Sequence, residues 1–319
     1  MAKTILKCAG IVLALCLVAL LVTAPLPVAG AEGLDTVPVY EPVTLAATEV
    51  TPLSYEDKAP YEPHASGYLA DDAGYLDDTL SVRIESFRCY DTDMRVAWVA
   101  IADPSQLRSA SVATFPSKKT MNAIKLAKRE KAVIAMNGDY IVYMNTGYSA
   151  RNGEVLRSRE KDKDAHDFDV LMIDDTGTFT IIQSMNADNI AAYNETHTLV
   201  HAYTFGPGLV VDGVKTTDIN ARSKPNIRAQ RMAIAQMPDG TYAMVSTDGP
   251  DDKNSTGLTL YEFADVLEAL GVQNAYNLDG GSSSWLVLGS TRLNGNHGSK
   301  HRDVADILFF VTASPEEAE

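Results

Sequence analysis

The stretch that most constrains what this chain can become runs from Thr259 to Trp285. Thr259-Leu-Tyr-Glu262 has the spacing of a capping box, in which the threonine hydroxyl and the glutamate carboxylate satisfy each other's end of the first helical turn. Phe263, Val266, Leu267 and Leu270 then recur at helical spacing, and Gly271 stands where a left-handed terminator is wanted. An apolar strand is predicted from Val272 to Leu278, and it stops at Asp279-Gly280-Gly281-Ser282-Ser283-Ser284. A buried helix–strand pair is thus made to end in a polar, tightly turning tip. Glycines let a backbone approach a ligand, consecutive amides in such a turn can hold an anion, and Asp279 could serve as acid, base or metal ligand. The same letters also spell an ordinary β-turn, because Asp-Gly and serine runs are common in turns.

A second segment repeats this architecture. Lys118 to Lys131 mixes Met121, Ile124 and Leu126 with six basic residues, which predicts a helix with one apolar and one solvated face. The strand Ala132–Met136 follows and ends at Asn137-Gly138-Asp139-Tyr140. Two such tips on one sheet edge would face a common cleft. Two hairpins are also legible, one turning at 174–177 and one at Pro238-Asp-Gly240. The second brings Arg231 and Asp248 to the same end. An arginine fork there suits a phosphate, or else forms an ordinary ion pair with Asp248.

The ends of the chain read differently. Residues 1–31 have a positive start (Lys3, Lys7), an apolar core and an Ala29-Gly-Ala31 cleavage site, the pattern of a signal peptide and hence of a secreted or extracellular protein. If that segment stays uncleaved it would be a membrane anchor. Residues 32–74 carry five prolines among acidic residues without a clean period and read as a linker, leaving 75–315 as one large domain. Cys89 is the one cysteine after the signal, so no internal disulfide is available, and it reads as a small buried hydrophobe. Beyond residue 31 there are 25 Lys+Arg against 42 Asp+Glu. That field argues against nucleic acid and against anionic membranes as partners. The predicted fold is α+β, with curved β-sheets, flanking helices and a single large catalytic domain; the oligomeric state is not legible.

The run 255–284, STGLTLYEFADVLEALGVQNAYNLDGGSSS, resembles the signature of the phosphodiester glycosidase family, which includes the mannose 6-phosphate uncovering enzyme. Met136-Asn-Gly-Asp-Tyr140, Arg151-Asn-Gly153, Phe205–Gly213, Arg231–Ala235, Thr247-Asp-Gly249 and Arg302–Phe310 fit in order, so the resemblance covers roughly 75–312. It implies hydrolysis of the bond between a sugar's anomeric carbon and a phosphodiester oxygen, and it assigns the Asp279 tip to the active site. One departure stands out: Ser282 occupies a position where much of the family has a third glycine, so substrate preference does not carry over directly.

Glycoside cleavage commonly uses two carboxylates around an oxocarbenium-like centre. The candidates are Asp279, Asp248 and Asp139, each at a strand or hairpin end. A phosphodiester leaves as a weakly basic anion, so it needs charge stabilisation more than protonation. Arg151, Arg231 and the run Gly280, Gly281, Ser282 and Ser283 could supply that, while Asn137 could hold a sugar hydroxyl or orient a carboxylate. Retention and inversion both remain open. The expected partner is a phosphodiester-linked glycan or sugar-phosphate polymer, with no cofactor and no metal. His197 and His201, like His297 and His301, are spaced by four, but neither segment reads as the helix a zinc pair requires. Two other classes stay open: a non-catalytic wall- or glycan-binding module on a stalk, and a metal-dependent phosphodiesterase.

Overall fold

The computed structural model describes residues 33–43, 45, 50–220, 223–250, 254–295 and 301–315, all within one compact unit that starts at Gly33. The segment read as a signal peptide lies outside the described residues, and so does His297.

Three antiparallel sheets carry the fold. The largest orders its strands Gly74–Leu76, Leu80–Cys89, Thr92–Ile101, Tyr242–Thr247, Met232–Gln236, Asn274–Leu278, Gly208–Val211 and Val214–Lys215. A second orders Glu154–Arg159, Gly147–Arg151, Leu199–Tyr203, Val170–Asp174 and Phe179–Ile182. The third orders Thr291–Arg292, Leu286–Leu288, Ile134–Asn137, Asp306–Phe310 and Leu107–Ser111. Both hairpins form where the sequence put them, with Val170 opposite Ile182 and Met232 opposite Ser246.

Strand alternation decides which residues meet. Met232, Ile234, Met244, Tyr276 and Leu278 point inward, to a core shared with Ile134, Met136, Leu308 and Phe310 of the third sheet and Leu171, Ile173 and Tyr203 of the second. Ala233, Ala235, Ala243 and Ala275 point outward, and helix α3 (Leu260–Ala269) covers them with Phe263, Val266 and Leu267. Fully burying each of those three side chains is worth roughly 1.5–3 kcal/mol. The Thr259–Glu262 capping box forms at the start of α3. Helix α1 (Ala123–Arg129) covers the third sheet in the same way, and helix α2 (Ala187–Thr196) the second. The α+β class is therefore as expected: one domain, three sheets around a common core, each with a helix on its outer face.

Two expectations need correction. Helix α1 is shorter than the predicted span, because the Asn122 side chain accepts the amides of Ile124 and Lys125 and fixes the start there. Lys118 and Lys119 lie outside it. The supposed linker does not stand away from the domain. Tyr40 packs on Trp98 with ring centroids 4.8 Å apart and hydrogen-bonds Asp239 and Thr241. Ser105 takes the Leu53 amide at 2.7 Å, Arg108 donates to the carbonyls of Ser54 and Asp57, and Ala59 is buried in the α1 cluster. These contacts satisfy backbone groups along the segment one at a time, which leaves no hydrophobic period to read.

Candidate active site

The strand Asn274–Leu278 ends in the large sheet, and the chain resumes as Leu286–Leu288 in the third sheet, paired with Ile134–Asn137. The turn beginning at Asp279 therefore crosses from one sheet to the other. The Asp139 and Asp279 tips belong to different sheets, not to one sheet edge as expected, and they meet because of this crossing. Asn137 fastens the seam. Its side-chain amide donates to the carbonyls of Asp279 (2.7 Å) and Gly138 (3.0 Å), and its oxygen accepts the Trp285 amide at 2.9 Å. Both N–H donors of that side chain are engaged, so Asn137 orders the tip and has no donor left for a sugar hydroxyl.

Asn137, Asp139, Tyr140, Asp279, Ser283, Arg302 and Asp306 line a slot of about 20 Å³ between the tips. That is room for about one water molecule. Arg151 lies beneath it, fully buried, and donates to Asp139 at 2.9 Å and to Asp306 at 2.9 and 3.1 Å. Its remaining nitrogen donates to the carbonyls of Ala150 and Ala202, and its guanidinium lies 3.8 Å from the Tyr203 ring centroid. All five donors are therefore occupied. Arg151, expected to reach a phosphate, instead neutralises two carboxylates.

Asp306 was not among the sequence candidates. It opens the otherwise apolar strand Asp306–Phe310, and an acid leading such a strand was the available signal. The register pairs Ile307 with Asn137, which lays the Asp306 carboxylate against Gly138. A Cβ on Gly138 would fall 2.4 Å from that carboxylate, so the middle residue of Asn-Gly-Asp has to be glycine. Burial, together with an Asp139 that competes for the same guanidinium, pushes the Asp306 carboxyl up to about 7.

Asp279 stands at the boundary of the slot, its carboxylate 3.9 Å from Arg302, whose own side chain is half exposed. Burial raises the Asp279 carboxyl above its ordinary range, although Arg302 and the Gly280 amide act in the opposite sense. The glycines after it form no open row of amides. Gly281 donates to the Gln230 carbonyl at 2.9 Å, and Ser283 and Ser284 donate back to Gly280 and Gly281. Gly280 is needed because a Cβ there would sit 2.5 Å from the Gln230 carbonyl. Ser282 receives the Arg302 amide at 2.9 Å, which sets that arginine beside the slot.

On its other side Asp279 borders a cleft of about 410 Å³ that also exposes Arg231, Lys224, Phe205, Gly280 and Gly281. Arg231 donates to the carbonyls of Leu258 and Ile227. Among the described residues no carboxylate lies within ion-pair distance of it, and burial alone lowers its guanidinium to about 10. The expected Arg231–Asp248 pair is absent because the hairpin register sets Arg231 opposite Thr247, one residue short of Asp248. Neighbouring residues on a strand face opposite ways. Asp248 is buried against Arg95 at 3.3 Å and the Gly295 amide at 2.5 Å. It lines neither the slot nor the cleft.

The other singled-out groups have structural surroundings. His201 is buried between the Asn152 amide and the Leu107 carbonyl, and burial lowers its imidazole to about 3. His197 caps α2 and stacks on Tyr193 at 4.3 Å. His301 meets Arg292. Cys89 is buried, and its thiol is pushed up to about 12.

This arrangement defines an α+β protein with an acid-rich slot and a cationic cleft at a seam between sheets. A family model described as phosphodiester glycosidase matches residues 130–311, more than half of the chain. The chain belongs to the phosphodiester glycosidase family. It is 27% identical over 206 residues to the SPbeta prophage-derived uncharacterized protein YomE of Bacillus subtilis (strain 168), a match that covers 61% of this chain and 30% of that one. Its fold is similar to that of the zebrafish N-acetylglucosamine-1-phosphodiester alpha-N-acetylglucosaminidase catalytic domain, with a TM-score of 0.58 and 16% identity over 80% of this chain and 88% of that one. A hypothetical protein from Synechocystis superposes with a TM-score of 0.49 and 16% identity, over 73% of this chain and 62% of that one.

Proposed function

We propose that this protein hydrolyses the bond between the anomeric carbon of a sugar and the oxygen of a phosphodiester, in an extracellular or cell-surface glycan that it meets after export. The observation that carries the reading is Asp279, a carboxylate shared by the acidic slot and by a cleft whose half-buried Arg231 has, among the described residues, no acidic partner. A cation so placed is suited to meet an anionic substrate.

In this reading the anomeric carbon lies at Asp279 with the phosphodiester towards Arg231 and Lys224. The Asp279 carboxylate takes a proton from a water in the slot as that water attacks the anomeric carbon. The carbon–oxygen bond breaks, and its electron pair leaves on the phosphate, giving a free sugar and a phosphomonoester. Arg231 meets the charge that grows on the leaving group. Asp139 and Asp306, held by Arg151, favour positive character at the ring. A carboxyl raised by burial is a stronger base than an exposed one, which suits Asp279 to this part.

The test is the nearly isosteric Asp279→Asn variant, assayed for sugar release from the methyl diester of N-acetylglucosamine 1-phosphate. Turnover is expected to fall by about 10³-fold or more with an unchanged melting temperature, because the change removes charge and keeps shape. A folded variant that releases sugar at the wild-type rate would remove Asp279 from the mechanism.

A further inference from the structure

The loop 138–146 roofs the site: Asp139, Tyr140 and Tyr143 face the slot, and Met144 faces the cleft. Tyr140 and Tyr143 stack on each other with ring centroids 4.6 Å apart at 29°. The Arg302 guanidinium lies 5.8 Å from the Tyr140 ring, and the Lys118 ammonium 5.8 Å from the Tyr143 ring. Asp279, Arg302, Tyr140, Tyr143 and Lys118 thus form an unbroken row that leads outward from the slot. Tyr143 is 43% exposed, one of few large apolar side chains so open to solvent.

The row is held in place from below. Arg157, itself buried, donates to the carbonyls of Ile141 and Thr146 and packs against Phe115, while the amides of Tyr143 and Met144 bond back to the Tyr140 carbonyl. A rigid aromatic face exposed to water offers a pyranose ring a surface for its apolar C–H face, with little ordering left to do on binding. The tyrosine pair is flanked by cations, Arg302 on the inner side and Lys118 on the outer. Lys118 lies within ion-pair distance of no carboxylate among the described residues, on a chain with a net charge of −15. The row runs outward from the slot as far as Lys118, so it fits more than the one unit being released.

We propose that Tyr140, Tyr143 and Lys118 form a subsite for the unit next to the sugar being cut, and that the substrate is a sugar-1-phosphate polymer cleaved within its length. The inference rests on the proposed glycosyl-phosphodiester chemistry. In such a polymer the sugar at Asp279 carries, through one of its own hydroxyls, the phosphate of the preceding unit. The tyrosines take the sugar rings and Lys118 takes that preceding phosphate, while the scissile phosphate remains with Arg231.

Two substrates separate this subsite from the chemistry: the methyl diester of N-acetylglucosamine 1-phosphate, and a trimer of N-acetylglucosamine 1-phosphate joined through O6. The wild type is expected to favour the trimer in kcat/KM by about tenfold or more, an ordinary worth for one added stacking and charge contact. Tyr143→Ala and Lys118→Gln should each remove most of that preference through KM. Lys118→Gln should leave kcat/KM for the methyl diester within about twofold, since Lys118 lies outside the slot and the reacting group. Equal turnover of both substrates by the wild type, or variants that lower both substrates equally, would overturn the subsite and leave the proposed chemistry standing. A wild type that cleaves neither substrate would overturn the chemistry, and the subsite would fall with it.

Discussion

Arg151 is buried and Arg231 half-buried, and their partners differ more than their depth. Arg151 has all five donors engaged and two carboxylates around it. Arg231 has two backbone carbonyls and, among the described residues, no acid. The first belongs to the framework, because its charge is answered within the fold. The second borders a cleft with its charge unanswered among the described residues. What separates the two charges here is the counter-ion together with the depth of burial.

Replacement of each arginine by methionine would break or sharpen this contrast. Arg151→Met leaves Asp139 and Asp306 facing each other without a cation, and it should cost about 3–5 kcal/mol in denaturant unfolding. An unchanged midpoint would mean that the triad contributes nothing to stability. Arg231→Met should lower kcat/KM for a glycosyl-1-phosphodiester by about 10²-fold, the worth of one preorganised charge-stabilising donor. Its melting temperature should stay level or rise, because an uncompensated buried cation has been removed. A fall in melting temperature with unchanged activity in the folded fraction would place Arg231 with Arg151. A third effect concerns pH. The Asp306 carboxyl is raised in the folded state to about 7 from 3.8, so its protonated form stabilises the fold below the lower value, and that contribution is lost as pH rises through the higher one. Measured against Asp306→Asn, the wild-type melting temperature should decline between about pH 4 and pH 7. A difference that stays flat across that window would mean that Asp306 is ionised throughout.

Much of this was legible where local rules decide. The Thr259–Glu262 cap, helix α3, the strand to Leu278 and both hairpins follow from spacing and turn chemistry within a few residues. Asp139 and Asp279 were both singled out, and they line one slot. What escaped depended on register and on distance along the chain. Asp248 and Arg231 were placed at the same hairpin end, but a one-residue offset turns them to opposite faces. Asp306 joins the slot only through pairing with a strand some 170 residues earlier, as the match of Ile307 with Asn137 shows. Asn137 and Arg151 are the right residue types for binding a substrate, and no sequence pattern reveals that their donors are already taken. Helix α2 went unread because its buried apolar positions are few, chiefly Ile190 and Tyr193.

The crossing turn at Asp279 means that the molecule has no smaller working part. Of Asp139, Asp279 and Asp306, Asp279 is anchored in the large sheet and the other two in or beside the third, so neither sheet alone holds the set. The segment 130–311 that matches the family contains Asp139, Asp279 and Asp306, yet it lacks Thr92–Ile101, which pairs with Tyr242–Thr247 in the large sheet, Leu80–Cys89 beyond it, and Leu107–Ser111, which closes the third. Trimming the chain to its recognisable portion would keep every reactive group and discard the walls that hold them in register. Whatever activity this protein has should therefore appear late in its folding, when two separately built surfaces dock.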